Sequence, residues 1–212
     1  MYIFLKALLM TQLLQIDSTT IQLAEFKQNK EIPAIIETNV LKALSYYPEL
    51  KNTHIRFIFK QRIKKSVMQA QPVALSLLRK KENRIYKINI SALFQLTNTA
   101  IPIHQLPDSI MIGWIGHELG HIMDYEERNM LSIIGFGISY LFSGKFIQKA
   151  ERKADTFAVN HGIGGYIVQT KRFILENADI PQAYKDRIAR LYTSPDEIVE
   201  QVRILEEERT LP

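Results

Sequence analysis

The spacing of hydrophobic and polar positions changes along the chain, and each change marks an element. Between Ile32 and Leu50, the apolar residues Ile35, Ile36, Val40, Leu41 and Leu44 follow the period of a helix. Pro33 falls in its first turn, where a missing N–H costs nothing. The period then shortens. His54 to Lys60 reads His-Ile-Arg-Phe-Ile-Phe-Lys, rich in β-branched and aromatic residues, and predicts a strand. Val67 to Leu78 is read as extended, with Pro72 confining it to an edge or a bulge. Lys81, Glu82 and Asn83 supply a turn. From Arg84 to Ile90, Ile85, Lys87 and Asn89 alternate with Tyr86, Ile88 and Ile90, as in a pleated strand.

From Pro107 onward the pattern is helical almost to the end. Asp108 is placed to cap a helix running to about Glu127. Leu131 to Phe142 is apolar and contains no charge. At ~1.5 Å per residue it reaches about 18 Å, short of the ~30 Å hydrocarbon core, so it predicts a buried helix rather than a membrane span. A third helix covers roughly Phe146 to Asn160, with Gly162 placed to end it. Two or three more follow. The last opens on a capping box, Ser194-Pro195-Asp196-Glu197, with Pro195 at the first helical position.

Composition narrows the class. Of the 212 residues, 46% are hydrophobic and 23% charged, which suits a folded domain with a sizeable core rather than a disordered chain. Net charge is +5, with clusters at Lys60, Arg62, Lys64 and Lys65 and at Arg79, Lys80, Lys81 and Arg84. No aromatic residues interleave with these charges, so they are read as solvated loops and no nucleic-acid partner is expected. The chain has no cysteine, which excludes disulfides, thiol nucleophiles and Cys-ligated zinc, including the deformylase type of site. Met1 to Leu14 is apolar apart from Lys6, Thr11 and Gln12. The lysine lies inside the run and no small-residue cleavage pattern follows, which favours a packed or surface helix over an export segment.

One motif carries chemistry. His117-Glu118-Leu119-Gly120-His121 is an HExxH sequence within a helical pattern. Residues four apart share a helical face, so both imidazoles can converge on one ion, while Glu118 lies one residue round and can reach a metal-bound water. Such a water loses its proton near neutral pH and Glu118 can accept it. By chance HExxH arises in roughly one chain in a hundred of this length, so the neighbours must carry the rest of the case. Ile110, Met111, Trp114 and Ile115 make the helix largely apolar, and burying His-Glu-His among them is costly without partners. Gly116 and Gly120 each cost ~1 kcal/mol in a helix interior, which close backbone approach explains.

A third ligand is required. The metzincin pattern fails, because Asp124 and Glu127 stand where it needs Gly and His. Glu151 and Asp155 share a broad helical face with Ala154, Ala158 and His161, and the alanines mark that face as packed. Glu151 as third ligand, with Asp155 holding a histidine's distal N–H, accounts for acids on such a face. If that helix is instead an ordinary exposed one, Asp155 or Glu127 is the alternative ligand. His161, beside Gly162, and Tyr192, just before the capping box, are further candidates for stabilising an oxyanion. Both have bland readings: a helix-end histidine satisfied by backbone, and a core tyrosine with a bonded hydroxyl. His54 and His104 are read as structural.

HELGH followed by Glu-x-x-Ala-Asp resembles the gluzincin metallopeptidases, and most closely the minimal catalytic domains of the membrane CAAX-type proteases and their small soluble relatives. The likeness covers roughly Ile110 to Gly162. It implies one zinc ion on His117, His121 and Glu151, Glu118 as catalytic base, Asp155 behind the ligands, and a peptide or protein substrate. It also implies that the strand Arg84 to Ile90 corresponds to the edge strand on which gluzincins lay an extended peptide. Full-length spanning helices are lacking, so prenylated substrates do not carry over.

The expectation is therefore an α+β, zincin-like fold: a small, mostly antiparallel sheet, an HExxH helix packed beneath it, and a helical C-terminal half. Residues 1–30 are read as an N-terminal helix or a signal or anchor segment. Residues 31–212 are read as one metallopeptidase domain, with a sheet-bearing part (31–106) and a helical part (107–212). Membrane contact through the 131–142 segment or the N-terminus is compatible with the pattern, and a cytoplasmic or membrane-associated chain is favoured over an exported one. The rival functions are a zinc amidase of another kind and a metal-binding interaction domain without activity.

Overall fold

The computed structural model describes residues 23–61, 63, 66–94 and 100–210. The apolar run Met1 to Leu14 lies outside them. The described chain is a mixed α+β fold in which a small sheet covers one side of a long buried helix.

Six strands are described: β1 (Lys30–Glu31), β2 (His54–Lys60), β3 (Met68–Pro72), β4 (Ile85–Ser91), β5 (Leu93–Phe94) and β6 (Ile101–Pro102). The first four form one sheet in the order β1-β2-β4-β3, and β5 pairs with β6 in a small ribbon. The sheet is mixed, not mostly antiparallel. β1 and β4 both run parallel to β2, and only β3 runs antiparallel to β4. Side-chain alternation decides which face is buried and leaves strand direction open. Here the connection through β3 and residues 73–84 returns the chain so that β4 runs the same way as β2. This also puts β4 in the middle of the sheet, so Arg84 to Ile90 is not the edge strand. The edges are β1 and β3, and β3, beside β4, ends on Pro72 as its composition requires.

Ile55 and Phe57 of β2, Tyr86, Ile88 and Ile90 of β4, and Met68 and Ala70 of β3 are buried on one face of this sheet. The segment from Ile32 to Leu50 is not one helix: α1 (Glu37–Leu44) is flanked by 3-10 turns at Ala34–Ile36 and Pro48–Leu50. Pro48 disfavours helical backbone at Tyr47, whose φ of −122° and ψ of 69° break the run.

The second half is built from α2 (Asp108–Glu126), α3 (Met130–Phe142), α4 (Gly144–Asn160), α5 (Gly164–Glu176), α6 (Gln182–Leu191) and α7 (Pro195–Thr210). Asp108 is the first residue of α2 rather than its cap; Pro107, in extended backbone, precedes it, and the Asp108 carboxylate accepts from Asn39 Nδ2 at 2.9 Å. α2 is apolar nearly all round and correspondingly buried: the Tyr125 ring stacks on Tyr86 of the sheet, and the Tyr47 hydroxyl donates to the Gly116 carbonyl at 2.6 Å. α4 and α5 pack on the side of α2 away from the sheet, where a Cβ at Gly116 would meet Ile163 and one at Gly120 would meet the Ala154 backbone. Gly162, at φ +80°, ends α4 in the left-handed region. The Ser194–Glu197 box is reciprocal, at 2.8 and 3.2 Å.

α3 buries Ile133 and Phe136 but leaves Leu131 74% and Ile134 47% exposed. Among the described residues, no helix is long and apolar enough to cross a membrane.

Candidate metal centre

His117 and His121, one turn apart on α2, turn their rings to the same side, with centroids 4.8 Å apart. Glu151 of α4 meets both. Its Oε2 lies 3.0 Å from His117 Nε2 and 3.2 Å from His121 Nε2. All three side chains are buried, and their ligand atoms lie within 4.8 Å of one another. Two donors bound tetrahedrally at ~2.0–2.1 Å stand about 3.3 Å apart, close to the two Glu151–histidine separations, so the set is compatible with one divalent ion. The residue types agree as well, since imidazole and carboxylate are the ligands expected for zinc in a chain without cysteine.

Asp155, fully buried one turn beyond Glu151, accepts from His117 Nδ1 at 2.9 Å, which fixes Nε2 as the nitrogen facing Glu151. Its other oxygen accepts from Lys171 Nζ at 2.8 Å and from the Thr193 amide at 3.1 Å. Glu151 Oε1 accepts from the Tyr140 hydroxyl of α3 at 2.5 Å. His121 Nδ1, in contrast, is buried without a hydrogen-bond partner among the described residues.

These contacts set the local charges. Burial alone would lower the His117 pKa, but its hydrogen bonds to Asp155 and Glu151, and their charges, raise it to about 10 in the metal-free chain. Burial opposes ionisation of Asp155 too, yet the Lys171 ammonium and His117 hold its carboxyl down to about 2. Glu151 is held well below the usual carboxylate range, the two histidines outweighing its burial. Glu118 is shifted the other way. Burial pushes its carboxyl up, and the neighbouring histidines only partly offset that.

Glu118 Oε2 accepts from the Ala70 amide of β3 at 2.6 Å. Glu118 and His117 line a partly open cavity walled by Met68, Trp114, Ile167 and Ile188. Tyr192 lines the same cavity, its ring centroid 5.4 Å from that of His117. Burial and the Glu151 charge raise its hydroxyl well above the ordinary phenol range, so it stays a donor.

His161 is elsewhere. Its Nδ1 meets the Phe157 carbonyl at 2.7 Å, its ring stacks on Tyr47 at 4.6 Å, and it is not part of the cavity wall. It is a helix-end histidine satisfied by backbone. Glu127 is exposed and pairs with Lys153 at 2.8 Å, so it is not a ligand. His54 and His104 are exposed, far in character from the buried cluster.

Lys171, Tyr140 and the Ala70 amide escaped the reading of the sequence. Lys171 left a trace: it is a charge within the buried stripe of Ile167, Thr170 and Ile174 on α5. No protein-family model, curated protein or solved structure matches the chain, and the chemistry of the site is read from its own residues.

Proposed function

We propose that this chain is a zinc-dependent peptidase of the gluzincin kind, built on a zincin-like arrangement of sheet and HExxH helix. The observation that carries the reading is the position of Glu118, whose carboxylate stands beside the His117–His121–Glu151 cluster and bonds to an amide of the edge strand. Held by those three residues, zinc would supply Lewis-acid polarisation of a substrate carbonyl and a water of lowered pKa.

The rest is work for the protein's own groups. Glu118 accepts the water's proton and returns it to the leaving amine; a carboxyl pushed up by burial suits both halves of that cycle. Asp155 fixes the tautomer of His117. Tyr192, kept protonated, is placed to donate to a developing oxyanion, whereas His161 is not.

β3 favours a peptide over a smaller amide. Val73 donates to Ile85 and Ser91 donates to Val67, so alternate residues between them bond to β4. The backbone groups of Met68 and Ala70 therefore face away from β4, on the side where Glu118 accepts from the Ala70 amide and the Tyr125 hydroxyl donates to the Ala70 carbonyl at 3.4 Å. An extended peptide adding to that side of β3 brings its scissile bond beside the cluster, with one side chain in the apolar cavity.

The test is a zinc titration of the wild type and of Glu118→Gln, followed by cleavage of a peptide library. One zinc per chain in both, with cleavage only by the wild type, is expected. A wild type that holds no zinc overturns the metal centre, and equal cleavage by Glu118→Gln overturns the mechanism. Zinc without any cleavage leaves the interaction-domain alternative standing instead.

A further inference from the structure

Lys171 is buried, and its ammonium reaches into the polar end of the same cavity whose wall is otherwise largely apolar. An ammonium removed from water is costly unless an anion and further contacts compensate it. Here the anion is Asp155, at 2.8 Å, and the Tyr192 ring lies beneath the ammonium at 4.7 Å. The two oxygens of Asp155 are divided: Oδ1 serves His117, while Oδ2 serves Lys171 and the Thr193 amide. With Oδ2 held from two directions, the carboxylate has no freedom to rotate away from His117. Lys171 and His117 both pair with this fully buried carboxylate.

We infer that Lys171 is a positioning residue for the metal centre: through Asp155 it fixes the orientation of His117 and so sets how tightly the cluster holds a divalent cation. Lys171 touches none of the ligand atoms, and its effect on the centre passes through one carboxylate. The same contact ties α5 and the segment after α6 to the ligand-bearing α4. The inference rests on the metal-centre reading but not on the peptidase reading.

The experiment is a double-mutant cycle read as zinc affinity, by competition with a chromophoric chelator, on wild type, Lys171→Met, Asp155→Asn and the double variant. Each metal-free chain is first checked for folding by circular dichroism and thermal melting. Lys171→Met is expected to bind zinc about 10- to 100-fold more weakly, the usual penalty for losing a group that orients a ligand. In the Asp155→Asn background, the same change is expected to cost nothing further, because Lys171 then has nothing to act through. Lys171→Arg keeps the charge, has room toward the cavity, and is expected to stay within a few-fold of wild type. The cobalt(II)-loaded wild type and Lys171→Arg should share one visible spectrum, with Lys171→Met shifted from it.

Unchanged zinc affinity in Lys171→Met overturns the inference, as do penalties that simply add in the double variant. Equal losses in Lys171→Arg and Lys171→Met overturn it too. If Lys171→Met fails to fold, the double variant, which lacks both buried charges, is compared with Asp155→Asn: equal affinity supports the inference and a further loss overturns it. A wild type that binds no zinc removes the metal centre and this inference together, whereas zinc binding without peptide cleavage leaves the inference intact.

Discussion

Gly120 and Ala154 bring two helices into backbone contact, since a Cβ added at Gly120 would stand 2.5 Å from the Ala154 carbonyl oxygen. Gly120 lies between the two histidines, and Ala154 lies between Glu151 and Asp155. The approach of α2 to α4 is therefore what delivers three ligand atoms to one point.

Gly120→Ala should force these helices apart. The obstacle is backbone and cannot turn aside, so overpacking of about 1–3 kcal/mol is expected despite the better helix propensity of alanine. Denaturant unfolding checks the stability and chelator competition checks the zinc. Wild-type values for both would show that the close contact is not what assembles the site.

Tyr140→Phe removes the hydroxyl that donates to Glu151 Oε1 while keeping the ring. Hydrogen bonds to a charged group contribute about 1.5–3 kcal/mol, so zinc affinity should fall roughly tenfold or more. The melting temperature of the metal-free chain should fall slightly as well. Retained affinity would mean that Glu151 is held in place by the histidines alone.

Tyr192→Phe separates packing from catalysis. The ring against His117 remains and only the donor is lost. Under the peptidase reading, kcat should drop by about 10²–10³ with zinc affinity and KM little changed, as for loss of one oxyanion donor. An unaltered kcat would return Tyr192 to a purely structural role.

Stability of the metal-free chain should depend on pH in a defined sense. The folded pKa of His117, about 10, lies above its ordinary 6.5, so its contribution is complete below about 6.5 and is lost as pH rises through 10. Asp155 is depressed from 3.8 to about 2, so its contribution is present above 3.8 and is lost as pH falls through 2. Urea midpoints of the metal-free protein should fall on the alkaline side between these His117 values. Zinc requires neutral His117, so binding near neutral pH should release a proton, measurable by calorimetry in buffers of different ionisation enthalpy. Buffer-independent heats would contradict the His117 assignment.

The parts of the site that could be read in the sequence are those set by local spacing. His117 and His121 share a face because they are four apart, and Glu151 and Asp155 stood out as acids among alanines. Groups brought in by tertiary packing were not legible: Tyr140 comes from a helix without charges, and the Ala70 amide comes from a strand forty-eight residues before Glu118. Lys171 is an intermediate case, a cation on an apolar stripe whose partner is a helix away. For the fold, element type followed from periodicity, but sheet order did not. Alternation in Arg84 to Ile90 is the same for a central and an edge strand, and only the pairing partners distinguish them.

β3 has a second consequence, for solubility. An open strand edge is a template on which another copy of the chain can add, and proteins guard such edges. Here Pro72 offers no N–H, and the Ala70 amide is already engaged by Glu118. The residue assigned as the base is thus also a plug in the edge, one that a short peptide must share but that discourages a whole strand from docking. Glu118→Gln retains an oxygen for the Ala70 amide and should self-associate no more than the wild type. Glu118→Ala uncovers it, and should self-associate at concentrations where the glutamine variant does not.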